Sequence, residues 1–354
     1  MQRMNVHADR PYEVCIGNGL LRQAGELVRE VHAPCAVALV TDETVAGHYG
    51  DTVAQSLAQS GFRVEQYRFA PGERSKNMEQ LSDLLEWLAE RQMGRGDLIA
   101  ALGGGVTGDL AGFAASIYQR GIAYVQLPTT LLAAADSSVG GKTAVNLHAG
   151  KNLAGTFWQP ALVICDCNTF GTLPRGELAA GAAECVKYAM LGSRALLERM
   201  TRDGLNTPWE EILPACIDQK ADIVEHDERE NGVRQLLNFG HTVGHAVELL
   251  SGYTIRHGEG VAVGMAILTR AAERMGICAR GVTDELTAVL TALQLPTTCA
   301  YAPERLAQAA LGDKKRRGDE ITLVLPRGVG ECILHNVKTA ELLPIIRLGM
   351  EGAV

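Results

Sequence analysis

Asp97-Leu-Ile-Ala-Ala-Leu-Gly-Gly-Gly-Val-Thr-Gly-Asp109 decides the architecture of this chain. Leu98 to Leu102 is a short, uninterrupted apolar run ending in glycine, the pattern of a strand buried on both faces. Gly103-Gly-Gly-Val-Thr-Gly108 follows, and a helical pattern runs from Leu110 to Ile117. A glycine-rich turn between strand and helix lets a pyrophosphate approach the backbone, while the helix N-terminus offers amide donors. The match to Gly-x-Gly-x-x-Gly is degenerate and follows a later strand than the first, so a plain tight turn is its simpler alternative.

Working outward, Ala36-Val-Ala-Leu-Val40 reads as another buried strand, ending at Thr41-Asp42-Glu43. Helical periodicity runs from Val45 to Ser60, and Phe62 to Phe69 alternates like a strand. Pro71-Gly72 marks a turn before an amphipathic stretch from Met78 to Arg91. Tyr124-Val-Gln-Leu127 and Leu162-Val-Ile-Cys165 supply further strands. Such alternation implies parallel strands joined by right-handed crossovers. Asp42, at a strand end, is placed to accept hydrogen bonds from a ribose, or alternatively to cap a helix.

After Leu173-Pro174 the character changes. Helical patterns span Glu177–Leu191, Arg194–Met200, Pro214–Glu225, His241–Leu250, Gly260–Met275 and Thr283–Leu293, with one late β-type run, Glu320–Leu325, expected as a small edge element. The simplest division is an α/β domain over residues 1–172 and a mainly helical domain over 173–354.

Composition bounds the function. At 354 residues, 47% hydrophobic and 21% charged, the chain describes an ordinary globular protein of two domains. Its net charge of −8 and pI near 5.7 disfavour a general nucleic-acid binder, which needs a dominant positive field. Lysines focused in one cleft can still hold an anionic substrate. Nine scattered cysteines with no Cys-x-x-Cys pair suit free thiols in a reducing compartment. Without an apolar leader or a run of roughly 20 apolar residues, a cytoplasmic location away from membranes is expected.

The chemistry concentrates in Arg234-Gln-Leu-Leu-Asn-Phe-Gly-His-Thr-Val-Gly-His-Ala-Val-Glu248, which reads as a helix. His241 and His245 stand four residues apart, on one helical face, with Arg234, Asn238 and Glu248 around them and His257 following. Glu184 and Lys187 lie one turn apart on an otherwise small, apolar helix; the bland reading is an i,i+3 ion pair, the sharper one a carboxylate available to a metal. A carboxylate and two histidines suit a catalytic Zn²⁺, and spacing alone pairs His241 with His245. Peptide hydrolysis is disfavoured because no Glu follows the first histidine. Lys142 and Lys151, each preceded by glycine, sit in a loop-rich segment after Asp136, without the spacing of a Walker loop. No Gly-x-Ser-x-Gly elbow is present.

Taken together, Pro71-Gly-Glu-Arg-Ser-Lys-Asn77, Leu102–Asp109, Leu127-Pro-Thr-Thr-Leu-Leu132, Asp136–Thr143, Gly150-Lys-Asn152, Glu184-Cys-Val-Lys187, Arg234–Thr242, His257-Gly-Glu-Gly260 and Asp313-Lys-Lys315 resemble, in this order and across nearly the whole chain, the 3-dehydroquinate synthase family. The resemblance implies an α/β, Rossmann-like NAD-binding N-terminal domain, a mainly α-helical C-terminal domain, an active site in the cleft between them, and a homodimer. By the family pattern Glu184, His241 and His257 would hold Zn²⁺ (or Co²⁺), leaving His245 to face substrate. Asp42, Glu73, Lys76, Gly105, Val106, Thr107, Gly108, Asp109, Thr129, Thr130, Lys142, Lys151, Thr169, Phe170, Gly171 and Thr172 match the NAD set. Lys142, Lys187, Arg234, Asn238 and His245 match catalytic positions. Asp136, Lys151, Asn152, Lys220 and Lys314 (or Lys315) match substrate-binding ones. Asn168-Thr-Phe-Gly-Thr172 departs from a lysine-bearing version of that loop, and His148 has no assigned role.

The implied reaction turns 3-deoxy-D-arabino-heptulosonate 7-phosphate, an anionic sugar phosphate, into 3-dehydroquinate and phosphate. It would proceed by transient oxidation, β-elimination, re-reduction, ring opening and aldol closure. Its rivals are a cyclase making an inosose or a valiolone, a metal-dependent polyol dehydrogenase, and a non-catalytic nucleotide-binding module. Arg234, Asn238, His245 and Lys220 argue against another cyclase.

Overall fold

Seven strands, β1 (Gln2–Val6), β2 (Tyr12–Gly17), β3 (Ala36–Asp42), β4 (Arg63–Phe69), β5 (Leu98–Gly103), β6 (Ala123–Pro128) and β9 (Leu162–Asp166), form one sheet in the order β1-β2-β9-β6-β5-β3-β4. β7 (Lys142–Leu147) and β8 (Gly150–Phe157) make a separate antiparallel hairpin. Pairings from β2 across to β4 are all parallel; only the edge strand β1 runs antiparallel. Parallel strands need both faces covered, and the sequence supplies this by making alternate residues apolar on each side. Val40, Ile99 and Ala101 join one core with Leu110 and Phe113. Val37, Leu39, Leu98 and Leu102 join the other with Leu27 and Leu57. This is a computed structural model; it describes residues 1–312, 316–317 and 319–352.

Contacts divide the described chain into Met1–Leu173 with Trp209–Arg229, and Pro174–Pro208 with Glu230–Val354. The helical stretch Trp209–His226, grouped by sequence pattern with the second half, therefore belongs by contact to the first. It packs on β1 and β2, strands that the sequence reading did not mark. An amphipathic pattern reveals that a helix has an apolar face, but not which surface covers it.

Within the first unit, strand order reverses between β3 and β5. The chain leaves β3 for β4 on one side and returns to β5 on the other, with Thr41 opposite Leu102. Ligands of open α/β sheets lie beyond the carboxyl ends of strands at such a switch point. Asp42, Gly103 and Thr129 all stand at that edge, since Gly103 pairs with Pro128. The helix expected from Leu110 begins earlier, at Gly105, inside the glycine run. The Val45–Ser60 pattern forms as Glu43–Gln59 with a widened turn at Ala46–Gly50.

The second unit is mainly helical: Arg175–Gly192, Arg194–Asp203, His241–Leu250, His257–Arg274, Val282–Ala292, Pro303–Ala310 and Thr339–Met350. The late β-type run becomes the middle strand of a three-stranded antiparallel sheet, β10 (Arg316–Arg317), β11 (Glu320–Gly328) and β12 (Glu331–Lys338), rather than a lone edge element. A Cβ on Gly258 would lie 1.9 Å from the Ala180 carbonyl oxygen. Glycine there lets the His257–Arg274 helix seat its first turn against the Arg175–Gly192 helix, one turn before Glu184.

Candidate active site

In the first unit, no side chain caps the helix that starts at Gly105, so its terminal amides remain oriented donors. The hydroxyl of Thr129, the residue after β6, is buried without a hydrogen-bond partner among the described residues. An oriented helix start next to an orphaned buried hydroxyl fits a phosphate-bearing ligand. Val106, Thr107 and Gly108 form the first turn of this helix. Asp109, two turns' reach from the strand end, is ion-paired with Lys76. Burial pushes the Asp109 carboxyl up, and Lys76 opposes that shift. Asp42 accepts from the Thr44 and Val45 amides at 2.9 and 3.0 Å through Oδ1; the capping geometry weighed from sequence is therefore present.

Lys142 and Lys151 stand on the β7–β8 hairpin, not in a loop-rich segment. Two glycines at positive φ, Gly140 and Gly141, disguised the strand start. Asn146, to which sequence reading gave no role, ties this hairpin to Glu73 by a 2.8 Å hydrogen bond and accepts from the Asn152 amide at 2.9 Å. Lys151 Nζ lies 3.9 Å from Glu73. Lys220, buried on the Trp209–His226 helix, pairs with the Asp136 carboxylate and donates to its carbonyl at 2.7 Å. Thr169, Phe170, Gly171 and Thr172 form the 3₁₀ turn after β9, where Thr172 Oγ1 meets the Tyr49 hydroxyl at 2.7 Å. Thr130 Oγ1 accepts from the Ala133 amide at 3.1 Å.

In the second unit, Glu184 is fully buried and Lys187 is 1% exposed, with Nζ and Oε2 2.6 Å apart. The i,i+3 pair of the bland reading is therefore present, and it is buried on both sides. Two helices bring imidazoles to the same carboxylate: His241 Nε2 lies 3.6 Å and His257 Nε2 3.2 Å from Glu184 Oε1. Each ring's other nitrogen is engaged, His241 Nδ1 with the Phe239 carbonyl at 3.1 Å and His257 Nδ1 with Glu248 at 2.8 Å. His245 completes a triangle of rings with centroids 5.2 to 5.9 Å apart.

The segment that carries these groups is not one continuous helix. Arg234 and Asn238 lie on a 3₁₀ turn, Val233–Asn238, and Gly240 at φ 79° breaks the chain before His241 opens the next helix. The positive φ is compatible with glycine, and a Cβ there would meet Met265 Cγ at 2.5 Å. Periodicity missed the break because apolar spacing continues across it. Arg234 is 1% exposed, and Asn238 donates to Glu230 at 2.8 Å, a partner unmarked by the sequence pattern. Lys314 and Lys315 fall outside the described residues.

Electrostatics suit the three side chains to a cation. Burial holds His241 well below the ordinary imidazole range, despite the opposing charge of Glu184. It is therefore neutral, as a ligand must be. For His257 burial acts downward, but hydrogen bonds to Glu184 and Glu248 win and lift it to about 10. Among the described residues two donor groups lie within 4.8 Å: Glu184–His241–His257, and His245–Glu248–His257. Neither contains the adjacent pair His241 and His245 that spacing alone favours. A carboxylate with two imidazole Nε2 atoms converging on it, their Nδ1 atoms held elsewhere, fits a divalent metal of the zinc class.

The fold matches those of solved sugar phosphate cyclases over nearly the whole chain. A solved 2-deoxy-scyllo-inosose synthase, complexed with carbaglucose-6-phosphate, NAD⁺ and Co²⁺, matches with a TM-score of 0.88 at 28% identity, over 99% of this chain and 100% of that one. A 2-epi-5-epi-valiolone synthase from Streptomyces hygroscopicus subsp. jinggangensis, with NAD⁺ and Zn²⁺ bound, matches at 0.87 and 26%, over 96% of each chain. Residues 66–180 match the family model described as 3-dehydroquinate synthase N-terminal, and 181–316 the one described as 3-dehydroquinate synthase C-terminal. The 3-dehydroquinate synthase of Enterococcus faecalis (strain ATCC 47077 / OG1RF) is 44% identical over 349 residues, 97% of each chain. The chain belongs to the 3-dehydroquinate synthase family.

Proposed function

We propose that this protein converts 3-deoxy-D-arabino-heptulosonate 7-phosphate into 3-dehydroquinate and inorganic phosphate, with NAD⁺ and a divalent metal as resident cofactors. The observation that carries the choice of substrate is the 44% identity to a 3-dehydroquinate synthase over 97% of both chains. The inosose and valiolone synthases stand at 28% and 26%. When bound, the dinucleotide supplies a hydride acceptor that later returns the hydride, and Zn²⁺ or Co²⁺ supplies Lewis acidity toward an alcohol.

In this reading Glu184, His241 and His257 hold the metal, and Lys187 keeps the buried carboxylate ionised. The glycine turn, Asp42, Glu73, Lys76, Asp109, Thr129 and Thr130 serve the dinucleotide. Substrate carries a carboxylate and a phosphate, two anions that an acidic protein grips only locally. Arg234 suits one of them, because its planar guanidinium pairs in a bidentate way with oxyanions. Lys142, Lys151, Lys220 and Asn152 supply further donors. Glu230 fixes the amide of Asn238 so that it orients a hydroxyl. His245, outside the proposed metal set but at its edge, moves a proton during elimination and closure.

Phosphate release from the purified protein tests this directly. The heptulosonate phosphate should be turned over and glucose 6-phosphate should not. Preference for glucose 6-phosphate would move the assignment to an inosose-forming cyclase.

A further inference from the structure

We propose that Glu248 is a positioning residue for the metal site: its carboxylate fixes the His257 ring so that Nε2, not Nδ1, faces Glu184. The inference rests on reading Glu184, His241 and His257 as the metal set. Glu248 lies seven residues after His241 on the same helix, and so on nearly the same face. It is 2% exposed, a depth at which a carboxylate is retained only against strong donors. One such donor is His257 Nδ1, 2.8 Å from Oε1, while Nε2 of the same ring stands 3.2 Å from Glu184. One imidazole is thus held at both nitrogens by carboxylates from two different helices.

His257 needs this more than His241 does. It is the first residue of its helix and follows a turn in which Tyr253 has a positive φ. Its side chain is 32% exposed, against 11% for His241. Backbone and packing therefore constrain the His257 ring less, and the Nδ1 contact supplies what they leave open. The helices approach closely enough for Glu248 to reach: a Cβ on Gly260 would meet Gly244 at 2.9 Å and Glu248 Cγ at 3.3 Å. With Nδ1–H donated to Glu248, the remaining nitrogen presents its lone pair to the metal, and the carboxylate strengthens it as a ligand.

Titration of metal-free wild type, Glu248→Gln and Glu248→Ala with Co²⁺ against a competing chelator tests the proposal, with visible absorption recorded and no substrate present. Gln retains an acceptor for Nδ1–H but loses the charge. About tenfold weaker binding is expected for Gln and up to about 100-fold for Ala, both with the wild-type spectrum because the donor set is unchanged. Wild-type affinity in Glu248→Gln overturns the proposal. So does a changed spectrum with lost stoichiometric binding, which would make Glu248 itself a ligand. If Glu248→Ala does not fold, Glu248→Gln decides alone. Failure of the wild type to bind Co²⁺ would refute instead the metal reading on which the proposal depends.

Discussion

Replacing Lys187 with methionine tests whether the buried carboxylate of Glu184 is built to receive a cation. In the metal-free protein this substitution removes an ammonium 2.6 Å from a fully buried carboxylate. Breaking a buried pair by deleting one partner costs about 3–5 kcal/mol. His257, with its raised pKa of about 10 and its Nε2 3.2 Å away, supplies a second cation, which favours the lower figure. A loss of about 3 kcal/mol in a unit of this size lowers the melting temperature by roughly 6–12 °C. A bound divalent ion restores the missing positive charge. Zinc should therefore raise the melting temperature of Lys187→Met by more than it raises that of the wild type. Differential scanning fluorimetry with chelator and with Zn²⁺ measures both. An equal zinc-induced shift in the two proteins would refute the electrostatic reasoning.

Four further outcomes follow from the same geometry. His257→Ala should lose bound metal, whereas His245→Ala should retain it and slow turnover; metal analysis of the purified variants separates them, and loss of metal from His245→Ala would return the adjacent pair to the ligand set. Metal uptake at pH 8 should release about one proton, because His257 is raised to about 10 while a ligand must be deprotonated; calorimetry in buffers of differing ionisation enthalpy counts it, and zero release would contradict the shift. The same raised pKa stabilises the metal-free fold fully below His257's unfolded value and is lost as pH rises toward 10, so chelator-treated protein should lose this contribution across that window. Gly258→Ala places a Cβ 1.9 Å from the Ala180 carbonyl and should cost at least about 1–3 kcal/mol while weakening metal binding; unchanged melting and metal affinity would show that the two helices have room to spare.

Much of this was legible in the residues. Apolar runs such as Leu98–Leu102 read as buried strands because they are too short for a helix and end in glycine. The helical pattern His241–Leu250 has the observed limits, although the apolar spacing also ran on across Gly240 from Arg234. What stayed hidden depends on contacts distant in sequence. Nothing local shows that Trp209–His226 packs on β1 and β2, or that Lys220 on that helix meets Asp136. The adjacent histidines were the most conspicuous local signal, yet the histidine that joins His241 at the Glu184 carboxylate is His257. Four-residue spacing reports a shared helix face, whereas the donors that converge on Glu184 come from two helices, and only the resemblance to a family pointed to His257. Glu248 was visible as a neighbour of His245, yet its contact with His257 requires the turn that folds one helix back on the other. Lys142 and Lys151 illustrate the reverse error: glycines suggested a loop where a hairpin forms.

The central claim is that a redox cofactor acts and is restored within one turnover that expels phosphate. It is tested most directly by following inorganic phosphate and absorbance at the reduced-nicotinamide band in the same cuvette, with the heptulosonate phosphate, NAD⁺ and Zn²⁺ present. Phosphate should accumulate linearly while no net NADH appears, and chelator should stop the reaction until metal is returned. NADH rising in step with substrate consumption, with phosphate retained on the product, would contradict it and make the protein a polyol dehydrogenase.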